Sequence, residues 1–174
     1  MTRIVLTALA ALALAVPAAS AASVESASSK KTIAGLAGAT PELSTLLSLV
    51  KKAGLADELS APGALTVFAP TNAAFAELKA SAPATYQAVS TNPALLRKVL
   101  TYHVLAKRVP SSTAIAAAKK RASVKTVQGE KIALSIRAGK LVLNGSSRVI
   151  VADVKASNGV IHAVDAVLVP PSAT

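Results

Sequence analysis

The sequence predicts an α+β fold in one domain, and three observations carry the prediction. Apolar residues recur at helical spacing, behind recognisable start signals, only ahead of Ser123. From Ser123 onward the apolar period changes from about 3.6 to 2. A short buried strand, "ALTVFAP", stands early among the helices. Helices first and strands last favours segregated layers over repeated β-α-β units. There is no internal repeat, so the chain is one copy of one module.

The elements follow in order. In "TPELSTLLSLVKKAG" Thr40 can cap a helix, Pro41 suits its first position and Glu42 complements its positive end. Leu43, Leu46, Leu47 and Val50 then form one buried stripe, Lys51 and Lys52 suit the C-terminal end, and Gly54 can stop the helix. The strand "ALTVFAP" ends at Pro70, and "TNAAFAEL" starts a helix capped by Thr71 or Asn72, with Phe75 and Leu78 on one side. "NPALLRKVLTYHV" repeats the Asn-Pro start, with Leu95, Leu96, Val99 and Leu100 as its apolar face; the chain leaves that helix near Tyr102 and runs extended through "HVL". "SSTAIAAAKKR" supports one more short helix with a basic end. "KIALSIRAGKLVLNGSSRVIVADV" reads as an antiparallel meander punctuated at Gly139 and Asn144-Gly145, and "GVIHAV" and "AVLVP" are the last strands.

The N-terminus reads as an export signal. Arg3 precedes the apolar run "IVLTALAALALAV" and then the small-residue site Ala19-Ser20-Ala21. The run is short of the roughly 20 residues of a bilayer span. Cleavage after Ala21 would leave a polar leader at 22–31, a folded domain at 32–170 and a loose end at 171–174. No transmembrane segment is expected after signal removal. The compact Ala-rich leader looks bacterial, and Asn144-Gly145-Ser146 is read as a turn before it is read as a glycosylation site.

There is no cysteine, so the exported domain is held by apolar burial without disulfides. Net charge is +11. Between residues 97 and 131 lie Arg97, Lys98, Lys107, Arg108, Lys119, Lys120, Arg121, Lys125 and Lys131, opposed by Glu130 alone. A field of that sign favours polyanions: envelope polymers, acidic polysaccharide, extracellular DNA or anionic lipid heads; the plainer alternative is solvation of an alanine-rich surface. Lys107, Arg108, Lys119, Lys120, Arg121 and Lys125 are the candidate polyanion-binding set. Only four aromatic residues are present, too few for a base-stacking platform, so sequence-specific nucleic-acid binding is not expected.

Catalytic patterns are missing. No Ser sits in a Gly-x-Ser-x-Gly elbow, and His103 and His162 lie far apart without a second ligand at i+2 or i+4. The eight acidic residues are scattered rather than paired, and no phosphate-cradling glycine loop occurs. A Ser-His-Asp set using Asp153 or Asp165 can be assembled on paper, as in almost any chain. The expectation is no enzyme, no metal and no cofactor.

Three segments, taken together, are more specific. "LTVFAPTNAAFAEL" (65–78), "LTYHVL" (100–105) and "ASNGVIHAVDAVLVP" (156–170) closely resemble the fasciclin-like domain: its two hallmark segments and, between them, its Tyr-His motif. The similarity spans about residues 32–170. It implies a wedge of about seven β-strands with helices, mostly from the N-terminal half, packed around it. It also implies a secreted or surface-borne module mediating adhesion and contacts with cell-surface or matrix protein or polysaccharide, without characteristic catalysis.

The resemblance makes Thr71, Asn72, Phe75, Asn158, Gly159, His162 and Asp165 hallmark positions of architectural character. A partly buried His162 would donate from one ring nitrogen and accept at the other, tying the last strands to neighbouring backbone, with Asn158-Gly159 as the turn that presents it. In some animal relatives the Tyr-His segment is implicated in receptor binding, which makes Tyr102 and His103 candidate contact residues; the alternative is that they pack in the core. An Asp-Ile adhesion motif of some animal relatives falls on Asp153 and Val154, where Val and the following Lys155 depart from it. The rival functional class is a small-ligand or lipid carrier with an apolar cavity under the wedge.

Overall fold

The computed structural model describes residues 31–173. The expected signal at 1–21, and all of the 22–31 leader except Lys31, lie outside the described residues.

The chain opens with helix α1 (Ile33–Ala39), capped by Thr32, whose hydroxyl accepts from Gly35 N at 3.2 Å. The sequence carries no clear signal for α1 because two glycines and three alanines dilute its stripe. A 3-10 turn (Pro41–Leu43) leads into α2 (Ser44–Lys52), and α3 (Ala56–Ser60) follows. Thr40 does not cap, contrary to expectation: its hydroxyl donates to Leu36 O at 2.9 Å, closing the preceding helix instead. Strand β1 (Leu65–Pro70) is followed by α4 (Asn72–Ser81), α5 (Pro83–Thr91) and α6 (Pro93–Tyr102). The Asn-Pro signal works as read, since Asn92 Oδ1 accepts from Ala94 N and Leu95 N. Then come β2 (Val104–Leu105), α7 (Ser111–Lys119), β3 (Ser123–Lys125), β4 (Lys131–Arg137), β5 (Lys140–Leu143), β6 (Ser147–Ala156) and β7 (Gly159–Val164).

The seven strands form one sheet in the order β2-β1-β7-β6-β5-β4-β3. The meander from β3 to β7 is antiparallel throughout. The early strand joins it in parallel, pairing Leu65 with Gly159 and Pro70 with Val164. The seam between the two halves of the chain therefore runs along β1 and β7.

Both seam strands are covered on both faces, which is why they read as near-continuous apolar runs. One face carries Val67, Ala69 and Ile161 against α1, α2, α3 and α6; the other carries Phe68 and Val164 against α7 and the inner faces of β4 and β5. "AVLVP" is not a strand. Past Val164 the chain leaves the sheet, and Leu168 is drawn to a histidine described below. Residues 171–173 are not loose either: they form a 3-10 turn whose Ser172 O accepts from Lys98 Nζ at 2.9 Å. Among the described residues no single helix is long and apolar enough to cross a membrane.

Candidate interaction site

The two hallmark segments meet at the seam. Thr71 caps α4 through Ala74 N, and its own N–H donates to Val164 O at 3.2 Å. Asn72 reaches back, accepting from Thr45 N and donating to Pro41 O, each at 3.0 Å, while Phe75 is buried in the helix-side core. Asp165 ties β7 to β6, its Oδ1 accepting from Arg148 N at 2.7 Å.

Asn158 is buried and uses its amide fully. Oδ1 accepts from Ile33 N at 2.9 Å, and Nδ2 donates to Leu59 O and Ala61 O, both at 2.8 Å. One side chain thus closes the start of α1 and the end of α3. The turn between β6 and β7 is Ser157-Asn158, since Ala156 pairs with Gly159. Gly159 is therefore not a turn residue, as the sequence suggested, but the first residue of β7. A Cβ there would lie 2.1 Å from Leu65 O, so glycine is required by close approach of β1.

His162 is fully buried and stacks on Phe68 at a centroid distance of 5.7 Å. Asp153 N–H donates to Nδ1 at 3.2 Å, so the proton sits on Nε2, which donates to Val109 O at 2.9 Å. Asp153 occupies a bulge of β6 with φ of 58°, and its carboxylate accepts from Ser111 N at 2.7 Å and from the Ser111 hydroxyl. A carboxylate at the start of α7 is well placed against the helix dipole. Burial alone would raise its pKa; hydrogen bonds from the Ser111 hydroxyl and N–H, with smaller charge effects of His162 and Lys155, together hold it below the usual carboxylate range. Ser111, Asp153 and His162 do come together, but the hydroxyl donates to the carboxylate and both ring nitrogens are taken by backbone. The set is a clamp that fixes the bulge and α7.

That geometry corrects the expected contact pairs. Asp153 is half-buried with both oxygens engaged, and Val154 is half-buried against the helix-side core, so neither presents a free recognition group. Tyr102 and His103 are buried, because α6 ends by plunging between the two core clusters. Tyr102 Oη donates to Lys131 O at 3.1 Å and accepts from Asn144 Nδ2 at 2.8 Å. His103 Nδ1 donates to Val99 O at 2.8 Å, and Nε2 accepts from Leu168 N at 2.9 Å. What the bulge does expose is Ile150 and Val151, about half accessible each. Their signal was the unbroken "VIV" at 149–151, which interrupts the alternation of β6.

Burial lowers the His103 pKa from the ordinary 6.5 to about 4, against a smaller opposing effect of the Val99 carbonyl. Below pH 6.5 the unfolded chain takes up a proton that the folded chain refuses until about pH 4. The stability that depends on neutral His103 is complete above 6.5 and is lost as pH falls toward 4, about 3 kcal/mol in all. Denaturant titrations at pH 7 and 4.5 should show that loss, and His103→Gln should flatten the pH dependence while lowering stability at pH 7. An unchanged acid sensitivity in the variant would assign it elsewhere.

The candidate basic set does not form one patch. Arg108 donates to Ala156 O and Gly159 O at 3.3 Å, at the β6–β7 turn, and Lys107 is exposed beside it. Lys119, Lys120 and Arg121 lie at the opposite end of α7, whose nine residues span about 13 Å. There Lys119 and Arg121 share an open groove with Ala133, Ser135 and Arg137 of β4, while exposed Lys125 stands on β3. Arg137 was missed because it lies beyond the basic stretch in sequence; the β3–β4 pairing brings it back. Glu130 turns away, its carboxyl held below the usual range chiefly by the Ser172 hydroxyl.

A second opening is apolar. About 110 Å³ lies between α1–α3 and the seam, lined by residues such as Ile33, Leu46, Leu59, Val67 and Ile161. Among the described residues no group of three or more His, Asp or Glu is gathered as a metal site.

The fasciclin domain family model matches residues 41–170, which includes all three motif segments. The chain belongs to the fasciclin domain family. This fasciclin domain is 41% identical over 140 residues to protein sll1483 of Synechocystis sp., covering 80% of this chain and 74% of that one. It is 33% identical over 145 residues to the cell surface glycolipoprotein MPB83 of Mycobacterium bovis, covering 80% of this chain and 61% of that one. In fold it is similar to a fasciclin domain pair from the insect cell adhesion molecule Fasciclin I, with a TM-score of 0.73 at 18% identity, over 83% of this chain and 53% of that one. The seven-stranded sheet with helices around it is the fold the motifs implied. The family is one of adhesion and surface proteins, generally non-catalytic.

Proposed function

We propose that this fasciclin domain is an exported, non-catalytic adhesion module that attaches to cell-surface or matrix polyanions through the basic end of α7. The observation that carries the reading is the cluster of Lys119, Lys120 and Arg121 with Arg137 across the groove: all four are exposed, and among the described residues no ion pair engages them. Lys119 complements the helix end, but Lys120 and Arg121 lie past it and project their charge outward. The leader expected at 1–21 supports export, and the M. bovis relative, a cell surface glycolipoprotein, is consistent with it.

The carrier reading is the weaker one. Ligand pockets usually enclose about 300 Å³ or more, and the apolar opening holds about 110 Å³, room for a few carbons rather than a lipid.

The test is binding of the purified protein to intact producer cells and isolated anionic envelope polymers at low and high salt, beside the triple variant Lys119→Glu, Lys120→Glu, Arg121→Glu. Binding should weaken steeply with salt because each neutralised charge releases a counterion, and the variant, folded by circular dichroism, should lose it at least about tenfold, or 1.4 kcal/mol. Binding indifferent to both changes would sink the reading and move attention to Ile150 and Val151.

A further inference from the structure

The groove at the end of α7 contains more than charge. Strand β3 pairs with β4 only from Lys131 to Ala133, and Leu134 N then donates to Ala122 O at 3.0 Å as the chain turns off into Arg121. Beyond that point β4 continues to Arg137 with β5 on one side and, among the described residues, no strand on the other. The phase of the ladder says which backbone groups are left. Asn144 N donates to Ala133 O at 2.9 Å and Asn144 Oδ1 accepts from Ala133 N at 2.9 Å, so Ala133, Ser135 and Arg137 direct their backbone toward β5. Leu134 C=O and both Ile136 backbone groups therefore face the open side. That open edge is the floor of the groove of about 570 Å³ whose walls carry Lys119, Arg121 and Arg137.

We propose that this edge accepts an extended acidic peptide segment as an added strand, its backbone pairing with Ile136 and its carboxylates meeting Lys119, Arg121 and Arg137. Unpaired N–H and C=O groups at a sheet edge are a template for strand addition, with side-chain pockets supplying selectivity. The charge of the walls selects the partner. A second copy of this chain, at +11, is repelled from such a groove, whereas an acidic segment is attracted. A polysaccharide satisfies the charges but offers no amide ladder for the edge. The inference deepens the basic-surface reading and rests on it for the cations; it adds that the partner at this groove is a protein.

The experiment uses the purified protein with an eight-residue peptide alternating Glu and Val, the same peptide N-methylated at every residue, and inorganic polyphosphate. Binding is followed by titration, and the Ile136 amide by hydrogen exchange. The unmethylated peptide should slow Ile136 exchange at least about tenfold at saturation, and the methylated peptide, equal in charge, should bind at least about tenfold more weakly. Polyphosphate should bind without slowing Ile136. Equal affinity of the two peptides, unchanged Ile136 exchange, failure of the unmethylated peptide to bind, or Ile136 protection arising only from self-association would each overturn the strand-addition proposal. Salt-sensitive binding of envelope polymers would still stand or fall by the triple variant, so the two readings fail separately.

Discussion

Gly159→Ala should leave the protein unable to form its sheet. The added methyl would sit 2.1 Å from Leu65 O, 2.8 Å from Leu65 C and 2.9 Å from Ile33 Cδ1. Two of those atoms are backbone of the parallel partner strand, so no side-chain rotation relieves the clash. Separating the strands at that point breaks the first pair of the β1–β7 ladder, and the N–H of Leu65, which donates to Asn158 O at 3.0 Å, goes with it. The expected loss is more than about 4 kcal/mol, in the range reserved for strained backbone and broken buried networks. Far-ultraviolet circular dichroism and a urea titration at pH 7 measure it; a variant that melts within a few degrees of the parent would show that β1 and β7 do not approach as described. Gly145→Ala makes a useful contrast: its φ is 75° but little crowds it, so its cost should be about 1 kcal/mol.

Asn158→Ala should cost about 4 kcal/mol. The change removes three hydrogen bonds and leaves Ile33 N, Leu59 O and Ala61 O facing an apolar gap. Asn158→Asp tests the same account from another direction. The aspartate can still accept from Ile33 N, but it sets a carboxylate against two carbonyl oxygens, so it should be at least as destabilising at pH 7 and partly recover as the carboxyl protonates. If Asn158→Ala loses less than about 1 kcal/mol, the amide is not the clamp the geometry makes it. If aspartate behaves like asparagine across the pH range, Nδ2 is not the group facing Leu59 and Ala61.

The capped helices were legible in the sequence because their signals are local: Thr71 and Asn92 sit beside the residues they cap. The alternation in Ile132 and Leu134 marked β4 for the same reason, since period and burial coincide there. Gly159 was misread as a turn residue because Asn-Gly is the usual turn pair, whereas the turn is Ser157-Asn158 and both Asn158 and Gly159 answer to distant elements, Ile33 and Leu65. "AVLVP" looked like a strand by composition, but Leu168 N finds an imidazole acceptor instead of a ladder. Of the candidate site residues, the hallmark set is gathered along the seam, while Tyr102 and His103 turn inward. Burial of a Tyr-His pair is invisible locally; it depends on Asn144 and Leu168 arriving from elsewhere. Arg137 escaped notice for the complementary reason, being brought to α7 by strand pairing rather than by sequence.

The parallel seam also governs when the chain can fold. Strand β1 ends at Pro70, but the partner that completes its sheet begins at Gly159. A chain emerging N-terminus first from a ribosome therefore carries a strand that waits on some ninety residues of synthesis. Local helices can flicker in that interval, but the loop-closure entropy of bringing the ends together comes due before the long-range contacts repay it. The topology thus leaves the seam incomplete until the last strand is out.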